Sequence, residues 1–150
     1  MMQIDLGNLR AALKKEEGCK LAPYKDTVGV WTVGYGHNLE AHNEPIPKLI
    51  TQQEAEDYLS QDIQSAVNDC INSIPCFANL DSVRQAVLVD MCFNLGIKGL
   101  LGFKQTLTYV SNGEYEQAAS QMLLSKWAKQ VTWRAERLAK QMRTGEWEGV

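Results

Sequence analysis

Long apolar runs are missing: nowhere in the 150 residues do 18 apolar side chains follow one another, so no membrane-spanning helix is expected. Met1 to Lys15 has neither an apolar stretch nor a small-residue cleavage site, which predicts a product whose synthesis ends in the cytoplasm. Cysteine is scarce and unpatterned. Cys19, Cys70, Cys76 and Cys92 show no Cys-x-x-Cys spacing, and the two histidines lie too far from them to complete a zinc site. Free thiols are expected, with a Cys70 to Cys76 bridge as the alternative because Pro75 could turn the chain back. Repeats, low-complexity tracts and floppy linkers are also lacking. What remains is the composition of a soluble globular protein, 45% apolar and 22% charged, of a length for one domain or one core with a smaller lobe.

The net charge of -3 is unevenly spread. Residues 1 to 75 carry 6 basic and 11 acidic side chains, residues 76 to 150 carry 9 and 7. Six of those bases (Lys126, Lys129, Arg134, Arg137, Lys140, Arg143) fall between 126 and 143 with one acid, Glu136. A solvated helix face is the expected reading, and a contact with an anionic polymer or lipid surface the alternative.

Apolar spacing predicts a first helix from Ile4 to Glu17, ended by Gly18. Short β-prone pieces between Leu21 and Leu39, cut by Gly29, Gly34 and Gly36, predict a small antiparallel sheet of tight hairpins. Thr51-Gln52-Gln53-Glu54 is a capping box, and the stripe Ala55, Leu59, Ile63, Ala66, Val67, Cys70, Ile74 runs to Pro75. A helix of that length spans about 33 Å and reads as a spine joining two lobes. After Asp81 as N-cap, Val83 to Leu95 is apolar on almost every side and is expected to be a buried central helix ended by Gly96. Further helices are predicted over Leu101 to Ser111, Glu114 to Leu124 and Trp133 to Arg143. The fold class is therefore α+β, mainly α: a sheet lobe at about 18–50, a connecting helix at about 51–74, and a helical lobe at about 75–150 together with the N-terminal helix.

The segment from Glu17 to His37 carries the chemistry. Two carboxylates, a hydroxyl and an imidazole on glycine-punctuated turns are the inventory for cleaving a glycosidic bond by acid and base together. Glu17, at a helix C-terminus, stands where the half-negative end of the dipole favours a bound proton. Asp26, on a turn between Lys25 and Thr27, suits an ionised partner that steadies positive charge or directs a water with Thr32. Singly, Asp26 reads as a turn residue and His37 as a structural one. A dinucleotide-loop reading of Gly34-Tyr35-Gly36 fails because Leu39 stands where the third glycine belongs.

The spacing of Glu17, Gly18, Leu21, Tyr24, Asp26, Gly29, Thr32, Gly34, Gly36 and His37 resembles that of the phage T4-type lysozymes, glycoside hydrolase family 24. Met91 to Gly96, Ser125-Lys126-Trp127, Arg134 to Arg137 and Arg143 to Trp147 extend the resemblance over nearly the whole chain. It implies a lysozyme-like two-lobe fold and an endolysin: a muramidase that hydrolyses the β-1,4 bond between N-acetylmuramic acid and N-acetylglucosamine in peptidoglycan for host cell lysis. Glu17 would be the proton donor, with Asp26 and Thr32 holding the attacking water in an inverting displacement. Tyr24, His37, Phe93, Asn94 and Arg134 form the implied substrate-binding set, Phe93 by apolar contact, Asn94 by hydrogen bonding, and Arg134 as the arginine that pairs with the catalytic glutamate. No metal or cofactor, no nucleic acid, no stable membrane insertion and a monomeric state are implied, as is accumulation in the host bacterial cytoplasm until the membrane is permeabilised.

Two alternatives stay open: a lytic transglycosylase acting on the same bond, and a non-catalytic domain that binds wall glycans. Two departures from the family pattern stand out. The chain is acidic where the best-known relatives are basic, and Asp90 occupies a place where they tend to carry a neutral polar residue, so it is expected to pair with Arg134 or Arg84.

Overall fold

A computed structural model describes residues 4–149. It contains, in chain order, α1 (Leu6–Glu17), the strands β1 (Lys20–Lys25), β2 (Trp31–Gly34) and β3 (His37–Asn38), then α2 (Gln52–Ser73) and a 3-10 turn (Phe77–Asn79). The helices α3 (Ser82–Leu101), α4 (Lys104–Ser111), α5 (Tyr115–Leu123), α6 (Lys126–Val131) and α7 (Trp133–Thr144) complete it. The fold is thus α+β and mainly helical. Among the described residues no single helix is long and apolar enough to cross a membrane. The chain divides into two compact units, Arg10–Ser65 and the remainder (4–9 with 66–149), the divisions falling inside α1 and inside α2.

In the first unit the sheet has the order β1-β2-β3, antiparallel throughout. Pro23, which has no N–H to donate, lies in β1 at the edge, where such a residue is tolerated, and the β1–β2 register is irregular between Lys20 and Tyr24. Beyond that irregularity Tyr24 stands opposite Thr32 and Lys25 opposite Trp31. The core of the unit gathers Leu13, Val33, Leu39, Ile50, Ala55 and Leu59. At Gly34 a methyl group would stand 3.4 Å from the Ala55 Cβ, so strand and helix meet closely there. The capping box forms as the sequence predicts: Glu54 N–H donates to Thr51 Oγ1 at 3.0 Å, and Thr51 N–H donates to Glu54 Oε1 at 2.9 Å.

The second unit is built on α3, whose Ala86 to Cys92 stretch is wholly buried. Asp81 caps it, accepting from Arg84 N–H at 3.1 Å. Gly96 does break the helix, at φ 75 and ψ 162, a left-handed region that a side chain would strain. The expected end there is corrected, however: helix resumes at once and continues to Leu101, and the predicted helix from Leu101 begins instead at Lys104, turned by 102°. The short α6 was not foreseen; Ser125 starts it by accepting from Ala128 N–H at 3.1 Å.

The basic stretch 126 to 143 is also corrected. Lys126, Lys129, Lys140 and Arg143 are solvated, but Arg134 and Arg137 are buried, because α7 turns them inward with Leu138 and Gln141. All four cysteines are free thiols, and Cys70 points its Sγ to the Leu88 carbonyl at 3.8 Å instead of toward Cys76.

Candidate active site

Glu17 is the last residue of α1, and Gly18 follows as the left-handed residue that ends it, its N–H bonded to the Lys14 carbonyl at 3.0 Å. The Glu17 carboxyl lies on the backbone of Gly36, where an added methyl would stand 2.7 Å from Oε1. Gly36, at φ 72, is therefore demanded twice, by its conformation and by the approach of the carboxylate.

Asp26 closes the β1–β2 hairpin. Its Oδ1 accepts from Val28 N–H at 3.0 Å and Val30 N–H at 2.9 Å, while its own N–H donates to the Val30 carbonyl at 2.9 Å. It is a turn residue by this geometry, yet the turn uses one carboxylate oxygen and leaves Oδ2 on an exposed side chain. Thr32, 5% exposed, donates its hydroxyl proton to the same Val30 carbonyl at 2.9 Å, so its oxygen has only lone pairs left to offer. Val30 thus fixes both side chains, its N–H holding Asp26 and its carbonyl holding Thr32.

Tyr24 relates the groups. It pairs across the ladder with Thr32 and stands two residues before Asp26, which by strand alternation gives all three a common face. Burial first, then the negative charges of Glu17 and Asp26, push its phenol above the ordinary value. Both carboxylates therefore act on one hydroxyl.

His37 is placed differently from a ligand-binding residue. The ring is 3% exposed, with Nδ1 at 2.8 Å from Asp62 Oδ2 and Nε2 at 2.9 Å from Glu44 Oε1, and it stacks on Tyr58 at 4.0 Å. Both nitrogens are engaged, so the sequence-based assignment of His37 to substrate is replaced by a bracing role. Burial works against its charge, but the Asp62 and Glu44 carboxylates outweigh it and raise the imidazole above its usual range. Neither Glu44 nor Asp62 was singled out from the sequence, which gives no local sign of a partner 7 or 25 residues away.

In the other unit Phe93 is half-buried and Asn94 exposed, near the end of the first part of α3. Trp127, buried, donates its Nε1 proton to Asn94 Oδ1 at 2.6 Å and meets Phe103 edge-on at 5.8 Å, which makes it a packing residue. Arg134 is 6% exposed and its Nε donates to Asp90 Oδ1 at 2.9 Å; Arg137 Nη2 reaches Asp90 Oδ2 at 3.1 Å. Asp90 thus pairs with Arg134, one of the two expected candidates, and with Arg137 besides. Arg84 turns elsewhere, donating to the Met142 and Arg143 carbonyls at 2.7 and 3.0 Å at the end of α7.

The chain is similar to known proteins over most of its length. A "Probable T4-type lysozyme 1" of Dictyostelium discoideum is 29% identical over 93% of this chain and 96% of its own length, and a "Probable T4-type lysozyme 2" of the same organism is 30% identical with the same coverage. An "Endolysin" of Acyrthosiphon pisum secondary endosymbiont phage 1 is 31% identical over 78% of this chain and 75% of its own. The phage lysozyme family model matches residues 14–146, from the last turn of α1 past the end of α7, and the chain belongs to that family.

Proposed function

We propose that this lysozyme is a muramidase in which Glu17 is the general acid and Asp26 and Thr32 hold the attacking water. The family makes the chain a peptidoglycan hydrolase, and the way Val30 holds Asp26 and Thr32 supports the residue roles. Glu17 gives its proton to the glycosidic oxygen as the bond to N-acetylmuramic acid opens. Asp26 Oδ2 faces the positive charge that grows at the anomeric carbon and draws a proton from water, while the Thr32 lone pairs accept the water's other hydrogen. The observation that carries this reading is the Tyr24 hydroxyl, which feels the charge of both carboxylates and stands across the ladder from Thr32.

Tyr24 contributes a sugar contact from the same face. In the helical unit Asn94 has its amide nitrogen uncommitted and Phe93 offers apolar surface, as saccharide-binding residues need. Arg134 acts with Asp90 to order that unit. The enzyme works as a monomer and gathers in the bacterial cytoplasm until a membrane lesion admits it to the wall, which fractionation before and after permeabilisation would reveal.

Digestion of purified sacculi tests the reaction. Glu17→Gln abolishes clearing, and the wild-type fragments end in reducing sugars that have gained water. Anhydro ends would instead identify a transglycosylase, and undiminished activity of Glu17→Gln would remove Glu17 from the mechanism.

A further inference from the structure

α2 has no basic residue from Gln52 to Ser73, yet it carries five carboxylates, so cations for them must come from other elements. Glu56 collects most. Its Oε1 accepts from Arg10 Nη2 at 2.9 Å and Lys14 Nζ at 2.7 Å, and its Oε2 from the Tyr35 hydroxyl and Gln52 Nε2, each at 3.0 Å. Arg10 further reaches the Glu56 carbonyl at 3.0 Å and Ser60 Oγ at 2.8 Å, and Gln52 Nε2 donates to the Tyr35 oxygen at 2.9 Å. The Lys14 ammonium also lies over the Tyr35 ring, 5.6 Å from its centre. The Lys14 and Arg10 cations hold the Glu56 carboxyl down at about 2.

The groups gathered there belong to the two segments that locate Glu17. Lys14 and Arg10 lie one and two turns before it on α1, on the same helix face. Tyr35 immediately precedes Gly36, whose backbone carries the Glu17 carboxyl. One carboxylate therefore ties the end of α1 to the turn on which the acid rests.

We infer that Glu56 is a positioning residue for the lysozyme reaction, clamping the last turns of α1 to Tyr35 so that the Glu17 carboxyl stays seated on Gly36. The inference rests on Glu17 as the general acid. Proton transfer tolerates little misplacement, and a displacement of about 1 Å costs as much as 10²-fold in rate. Sugar binding does not pass through this clamp, so its loss appears in kcat and leaves KM unchanged.

The test is kinetic, on a soluble wall-derived oligosaccharide, at a temperature well below the melting point of each variant. Glu56→Gln, which keeps the shape and removes the charge, lowers kcat by about tenfold or more with KM within about twofold. Tyr35→Phe, lacking only the hydroxyl, gives a smaller loss of the same kind, and the double variant loses less than the product of the two. An unchanged kcat in Glu56→Gln with a lower melting temperature overturns the inference and leaves Glu56 a stabilising residue. If Glu56→Gln does not fold, Tyr35→Phe decides, and full kcat there overturns it equally. Glu17→Gln measured alongside separates the two levels: activity in that variant removes the acid assignment, whereas an inactive Glu17→Gln beside a fully active Glu56→Gln removes the clamp alone.

Discussion

The Glu17 carboxylate lies against the Gly36 backbone so closely that a methyl group there would stand 2.7 Å from Oε1 and 3.3 Å from Cδ. Gly36→Ala must therefore move the carboxylate as well as strain its own backbone. Turnover of sacculi falls by about 10²-fold, while the strain at positive φ lowers stability by only about 1–2 kcal/mol. Parallel turnover and melting measurements check the separation, and equal small losses in both would contradict it.

The Val30 peptide makes a second, subtler prediction. In Thr32→Val the Val30 carbonyl keeps its bond from Asp26 N–H, so stability drops by only about 1 kcal/mol. The lone pairs that receive the water's hydrogen are gone, however, and kcat falls by about 10²-fold or more. Thr32→Ser keeps the hydroxyl and most of the rate.

His37 sets a pH dependence whose sign follows from its raised value. A histidine that binds its proton more tightly when folded adds stability that is complete below about pH 6.5, its unfolded value, and this is lost as pH climbs through the folded one. Melting temperatures of wild type and His37→Asn should differ most in mild acid and converge in alkali. A gap that widened with rising pH would reverse the assignment of charge.

Asp90 is 1% exposed between two guanidinium groups. Asp90→Asn keeps its shape and removes the buried negative charge that both guanidinium groups share, so denaturant unfolding should show a loss of about 3–5 kcal/mol. A change under about 1 kcal/mol would mean that solvent reaches the pair.

The capping box offers a local control. Thr51→Ala removes one acceptor from Glu54 N–H and should cost about 1 kcal/mol with kcat unaffected.

Elements bounded by short-range chemistry were legible in the chain. The Thr51 to Glu54 box, the Asp81 cap and the stop at Gly18 each depend on groups within three or four residues, and each forms as read. Gly96 shows the limit of that rule. A glycine predicts a break, but the helix resumes beyond it and buries Leu100, a tertiary outcome that sequence spacing does not reveal. The α6 cap at Ser125 was open to detection, since a serine precedes the helix, but a six-residue element is too short for its apolar period to stand out.

The candidate site divides in the same way. Asp26 and Thr32 could be related to each other because the β1–β2 hairpin that carries both is local and its turn residues are written in the chain, whereas Glu17 stood out by its place before Gly18 at the end of α1. Glu56 could not be singled out, although the absence of any base on α2 beside the bases of α1 was a usable sign.

Order along the chain, then, was sufficient to determine which residue types meet within one turn or one hairpin, since such contacts follow from backbone geometry that neighbouring residues impose. Packing alone decided that Arg134 and Arg137 turn inward to Asp90, that His37 is braced by Glu44 and Asp62, and that Glu56 holds α1 to Tyr35. Those pairings join groups from 7 to 47 residues apart, and a charge so placed finds its partner only after burial has removed the water that would otherwise have satisfied it.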